Sequence, residues 1–173
     1  MIVWGGLSHW QLSVLFKLWR KRRVVVLAKT IRLKAMDLLA RREHSVKELV
    51  RKLSERFEDD ELINKVVQQL TEDNLVSNSR FAEMYVRSRI GRHCGQVRIE
   101  NDLRERGVSD HLIAAALEEA GQDWFQLIRE LSLKKYANTP PFDAKETAKR
   151  IRFFQYRGFD FNQIKHALEQ CRE

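Results

Sequence analysis

The chain has 173 residues, with 32 Lys and Arg against 24 Asp and Glu, a formal charge of +8, 43% hydrophobic residues, two cysteines and two prolines. The apolar fraction excludes a disordered chain, and the length allows one domain or a few small repeated units. Cys94 and Cys171 have no CxxC spacing and no His at ligand distance in sequence, which argues against a disulfide framework or a zinc site and points to a reducing cytoplasm.

Charge is unevenly placed. Residues 1–30 hold six of the bases and none of the acids, so residues 31–173 carry 26 bases against 24 acids. The same opening stretch contains Trp4, Trp10 and Trp19 and ends in Arg20-Lys21-Arg22-Arg23. Its bases follow the apolar run, the reverse of a secretory signal, and its polar residues argue against a membrane span. An amphipathic segment lying on a membrane surface is the alternative; the expectation is an extension outside the fold.

From Ile31 onward the pattern is helical, with almost no strand-like alternation. Ser45-Val46-Lys47-Glu48 has capping-box spacing and opens a helix that gathers Val46, Leu49, Val50, Leu53 and Phe57 on one face. Asp59-Asp60 opens another, with Leu62, Ile63, Val66, Val67 and Leu70 on its apolar arc. The pair recurs. Arg56-Phe57 corresponds to Arg106-Gly107 and then to Arg157-Gly158, while Leu53, Leu103 and Phe154 hold one position in the preceding helix. Gly107 and Gly158 stand where a left-handed cap is wanted, and Phe57 requires a different turn. A further helix fits before each pair, over residues 31–42, 78–92 and 123–137. The expected fold is all-α: an extension over 1–30, then three-helix units over 31–76, 77–121 and 122–173, about nine helices in an elongated, curved array with interfaces shared between neighbouring units.

No Walker loop, HExxH, GxSxG or GxGxxG occurs, and His44, His93, His111 and His166 are scattered, so neither catalysis, a cofactor, a metal nor a small-molecule substrate is expected. The clearest surface for a partner lies on the helix opened by Asp143-Ala144-Lys145-Glu146. At about 100° per residue, Lys145, Lys149, Arg152 and Tyr156 line one face with Phe153 at its border. That combination suits a phosphate backbone or an acidic protein groove; the alternative is a solvated face with Phe153 or Tyr156 tucked under the next helix. Arg80, Arg87 and Arg92 form a second basic set. Arg98 is expected to pair with Asp102 at i, i+4 and so to be partly neutralised.

The run Ala35-Met36-Asp37-Leu38-Leu39-Ala40-Arg41-Arg42-Glu43-His44-Ser45, followed by Glu48-Leu49-Val50-Arg51-Lys52-Leu53, resembles the opening of the RecX regulatory proteins. Arg80-Phe81-Ala82-Glu83-Met84-Tyr85-Val86-Arg87-Ser88-Arg89, Leu103-Arg104-Glu105-Arg106-Gly107-Val108 and Tyr156-Arg157-Gly158-Phe159 are similar to that family's second and third units. Ser77-Asn78-Ser79 stands where an acidic residue is usual, and the apolar extension has no counterpart. The resemblance implies a non-enzymatic cytoplasmic modulator of the RecA recombinase. Its partner would be the RecA filament, with single-stranded DNA touched directly or through that filament, and it would restrain ATP hydrolysis, strand exchange and the SOS co-protease. The alternative is a stand-alone helical DNA-binding regulator that discriminates duplex sites.

Overall fold

The computed structural model describes residues 9–137 and 139–170, with side chains from residue 22 onward. Residues 1–8 of the extension, and Cys171, lie outside the described residues. Among those described there are nine helices and no strand: α1 (His9–Leu39), α2 (Val46–Ser54), α3 (Asp60–Glu72), α4 (Asn78–Ile90), α5 (Gln96–Glu105), α6 (Asp110–Ala120), α7 (Trp124–Tyr136), α8 (Ala144–Arg157) and α9 (Phe161–Gln170). They form two compact units. One comprises Met1–Arg42 with Leu49–Val76, the other Glu43–Glu48 with Ser77–Glu173.

In the first unit α1 packs on α3. It starts at His9 rather than near Ile31, because no glycine or proline between His9 and Leu39 interrupts the backbone. The compositional break at Thr30 is a change of burial instead. Val24, Val25 and Val26 are exposed, whereas Ile31 and Ala35 are fully buried, as are Leu49, Leu53, Ile63 and Leu70. Asp59 caps α3 by accepting from Leu62 N–H at 3.0 Å, and Arg32 reaches Asp73 at 2.8 Å. At the end of α2, Phe57 N–H donates to Leu53 C=O at 3.0 Å, and Phe57 is not among the residues with positive φ. The turn there therefore differs from the glycine turns, as its side chain requires.

The second unit contains two cores. Phe81, Ala82, Tyr85 and Val86 of α4 meet Ile99, Leu103, Ile113 and Ala116; Leu127, Ile128 and Leu131 of α7 meet Phe154, Phe159, Ile164 and Ala167. Ile90 and Trp124 pack against both, so these two helical trios share their hydrophobic surface.

The trios are also joined through main-chain atoms. Gly95 caps α5 without a side chain, and its N–H donates to Arg157 C=O at 2.9 Å, while Val97 N–H donates to Gly158 C=O at 3.2 Å. The orphan donors that open α5 thus meet the orphan acceptors that close α8, with opposite helix-dipole ends facing. The approach is close: a Cβ on Gly95 would lie 2.3 Å from Gly158 C=O. Gly158 is left-handed, with φ +89. About fifty residues earlier a looser version recurs. Ser45 Oγ donates to Arg106 C=O at 2.8 Å, and a Cβ on left-handed Gly107 would stand 3.0 Å from Lys47 Cβ.

Candidate functional site

The N-terminus of α8 is fixed by its own side chains. Asp143 accepts from Glu146 N–H at 2.6 Å, and Glu146 accepts from Phe142 N–H at 2.7 Å, so the reciprocal half of the box reaches one residue further back than its usual target. Arg150, only 3% exposed, donates to Glu146 at 2.7 Å and to Thr139 C=O, and lies over the Tyr136 ring at 4.2 Å. One buried guanidinium thereby ties the loop before α8 to both α7 and α8.

The Phe142 N–H, and then Arg150, hold the Glu146 carboxyl below its ordinary pKa of 4.5. A depressed carboxylate contributes stability that is complete above the ordinary range and disappears as pH falls through the depressed value. Glu146→Gln is therefore expected to be less stable than the parent at pH 7, with the gap closing in strong acid. Urea melts at pH 7 and near pH 3 measure this; a gap that stays constant would contradict it.

With Arg150 turned inward, three other cations of α8 face solvent. Lys145, Lys149 and Arg152 are exposed, none forms a salt bridge among the described residues, and together with Asp143 and Glu146 they line a shallow groove. Tyr156 ends the row and is 78% exposed.

Phe153 does not belong to that free surface. It is partly buried, set edge-on to Tyr136 and Phe154, with Lys135 Nζ 3.5 Å from its centroid and Arg157 on the same ring at 5.5 Å. The row's aromatic border is thus already occupied by cations from α7 and α8.

The second basic set divides. Arg92 is exposed, and its C=O accepts from Arg157 at 2.9 Å, which brings it beside the C-terminal end of the α8 row. Arg80 sits at the opposite end of α4, about 18 Å away by helical rise, and its guanidinium is held by Glu43 at 2.9 Å. Arg87 is exposed but shares a groove with Glu83 and Glu119, which dilute its charge.

Arg98 corrects an expectation. Asp102 does not take it as a partner, because Tyr85 donates to Asp102 at 2.7 Å and Arg89 pairs with it at 3.2 Å from across the α4–α5 contact. Arg89 and Arg106 both lie on the Tyr85 ring, at 4.8 and 4.9 Å. Burial, followed by the bond to Asp102, pushes the Tyr85 hydroxyl pKa up. Arg98 is left to donate to Tyr156 C=O at 3.0 Å and to cover the Tyr156 ring at 5.2 Å. Sequence reasoning passed over Arg98, Arg157 and Lys135 as parts of this surface, since each arrives from another helix or a helix end and shares no face with the row.

Ser77-Asn78-Ser79 does local structural work at the start of α4. Ser77 caps α4 by accepting from Arg80 N–H at 3.3 Å, Asn78 accepts from Val46 N–H at 3.0 Å, and Ser79 donates to Glu83 at 3.1 Å. Among the described residues no three His, Cys, Asp or Glu side chains converge as metal ligands, and no helix is long and apolar enough to cross a membrane.

The repeated helical trios define an all-helical protein of tandem-repeat type. Models of the first, second and third three-helix domains of RecX match residues 32–70, 77–117 and 122–168. The chain belongs to the RecX family. It is 43% identical over 143 residues to the regulatory protein RecX of Ectopseudomonas mendocina, covering 83% of this chain and 95% of that one. To the regulatory protein RecX of Halorhodospira halophila it is 39% identical over 146 residues, covering 84% of this chain and 91% of that one. These relatives are named regulatory proteins, not enzymes. The fold is similar to the crystal structure of RecX from Lactobacillus salivarius, with a TM-score of 0.66 at 18% identity, covering 84% of this chain and 96% of that one. A second RecX crystal structure gives 0.72 at 19% identity, covering 98% and 81%.

Proposed function

We propose that this chain binds filaments of the RecA recombinase on single-stranded DNA in the cytoplasm and restrains their ATP hydrolysis, strand exchange and SOS co-protease activity. Its membership in a family of regulatory proteins supports the reading. The observation that carries it is the row Lys145, Lys149 and Arg152, three exposed cations that form no salt bridge among the described residues, on a scaffold of repeated helical units. A binder of this kind needs no catalytic group, because it shifts a filament equilibrium by its differential affinity for assembled and unassembled states.

The test is RecA ATPase on single-stranded DNA titrated with the purified chain. The expected result is a saturable fall in rate with co-sedimentation of chain and filament; neither change at saturation would end the assignment. Lys145→Glu combined with Arg152→Glu is expected to weaken filament association about tenfold or more at low salt, because reversing two charges changes one face by about four units. Helicity by circular dichroism should be unchanged, and parental binding across a salt series would remove the row from the interface.

A further inference from the structure

Tyr156 is the unusual side chain of α8. An aromatic ring left 78% exposed ordinarily swings freely, but this one is held. Arg98 lies on it, and Arg98 is itself fixed, by its bond to Tyr156 C=O and by a backbone pressed so close to Gly158 that a Cβ there would stand 2.5 Å from Arg98 N. One face of the ring carries a cation and the other faces solvent. A flat π partner fits that free face with little ordering cost, since the ring is already positioned.

The charges around it select the partner. Arg152 and Lys149 lie one and two turns before Tyr156 on the same face, and Arg92 and Arg157 meet at its end. At the opposite end Asp143 and Glu146 flank Lys145, and Glu146 is held anionic by its N–H and guanidinium partners. The cationic field is therefore strongest over the C-terminal half of α8, where the ring is. A chain that alternates anions with exposed flat rings meets both requirements. An acidic peptide supplies the anions without regular rings, and a duplex keeps its rings stacked inside.

We propose that the C-terminal half of α8 contacts single-stranded DNA directly: Lys149 and Arg152 hold successive phosphates, an unstacked base lies on the free face of Tyr156, and Arg98 is the positioning residue beneath it. This rests on the filament reading and adds that the strand itself is touched at a named place.

The experiment uses the full chain without RecA. Fluorescence anisotropy compares a labelled oligothymidylate of about 15 nucleotides, enough to span one such site, with an abasic oligomer of equal length and with a duplex, at several salt concentrations. Thymidylate is expected to bind about tenfold or more tighter than the abasic strand. Tyr156→Ala should abolish that preference and Tyr156→Phe retain it, while Arg98→Ala narrows it. Lys149→Ala and Arg152→Ala should weaken both strands alike, each flattening the salt dependence by about 0.7 in log–log slope. Phe142→Ala, 96% exposed but at the acidic end, should change nothing.

Equal affinity for thymidylate and abasic strands, a preference that survives Tyr156→Ala, or a duplex bound as tightly as the single strand would overturn the proposal. So would absence of oligonucleotide binding by a protein that still inhibits RecA ATPase, an outcome that leaves the filament reading standing and assigns the face to an acidic protein surface. Thymidylate binding as described, with no effect on RecA, would uphold this proposal and remove the filament reading.

Discussion

Gly158→Ala is expected to lower the melting temperature by about 10 °C. Two costs combine. Gly158 has φ +89, a conformation costing an L-residue about 1–2 kcal/mol. The added Cβ would also lie 2.2 Å from Arg98 Cβ and 2.5 Å from Arg98 N, in the first turn of α5, where no flexible side-chain tip can yield. Overpacking of that sort adds about 1–3 kcal/mol, and in a chain of this size each kcal/mol shifts the midpoint by about 2–4 °C. The comparison that isolates the joint uses the other left-handed glycines. Gly121→Ala meets open space and should cost about 1–2 kcal/mol from backbone strain alone. Gly107→Ala meets Lys47 Cβ at 3.0 Å and should fall between. Thermal unfolding followed by circular dichroism at 222 nm measures the series; a Gly158→Ala midpoint equal to that of Gly121→Ala would show that the joint can relax.

Phe154→Ala should have an effect of similar size by another route. Its ring has no exposed surface and stands edge-on to Tyr136, Phe153 and Phe159, at centroid distances of 6.1, 5.3 and 6.4 Å. Truncation removes the transfer free energy of the ring and leaves a cavity among neighbours held on three helices or turns, together about 3–5 kcal/mol. Phe154→Leu refills most of the volume and should cost about half as much. Because Phe154 anchors the inward face of α8, its loss also frees the helix to roll, so DNA or filament binding should decline along with stability. Phe142→Ala on the same segment should stay within about 0.5 kcal/mol, since the 96%-exposed ring contributes little packing. Urea unfolding of the three variants gives the ranking, and a mild Phe154→Ala would mean the aromatic cluster repacks around the gap.

The sequence made the helical plan readable wherever a signal was local. Capping pairs marked the starts of α2 and α8, and Gly107 and Gly158 marked the left-handed turns, because these depend on a few adjacent residues. The start of α1 was not readable from composition. Thr30 separates exposed from buried residues without altering backbone preference, and only a helix breaker would have ended the helix there. The site was legible as one face of one helix: the Lys145, Lys149, Arg152 and Tyr156 periodicity predicted their shared exposure. What could not be read was competition between helices. Asp102 has Arg98 at the favourable i, i+4 spacing but lies closer to Tyr85 and Arg89, and Phe153 borders the row in projection yet is taken up by Lys135 and Tyr136. Gly95 opens α5 with no local sequence signal for a partner at that point. Its need for a bare Cα came from a carbonyl more than sixty residues away, which no local pattern encodes.

The joint between α5 and α8 is welded from peptide groups, N–H to C=O, with hydrogens standing where side chains would obstruct. Such a seam has almost no vocabulary of its own: two positions must stay bare, while the residues around them can change spelling without changing the angle at which the trios meet. Diversification of the outward-facing rows can therefore proceed on a chassis whose geometry is inherited through the backbone.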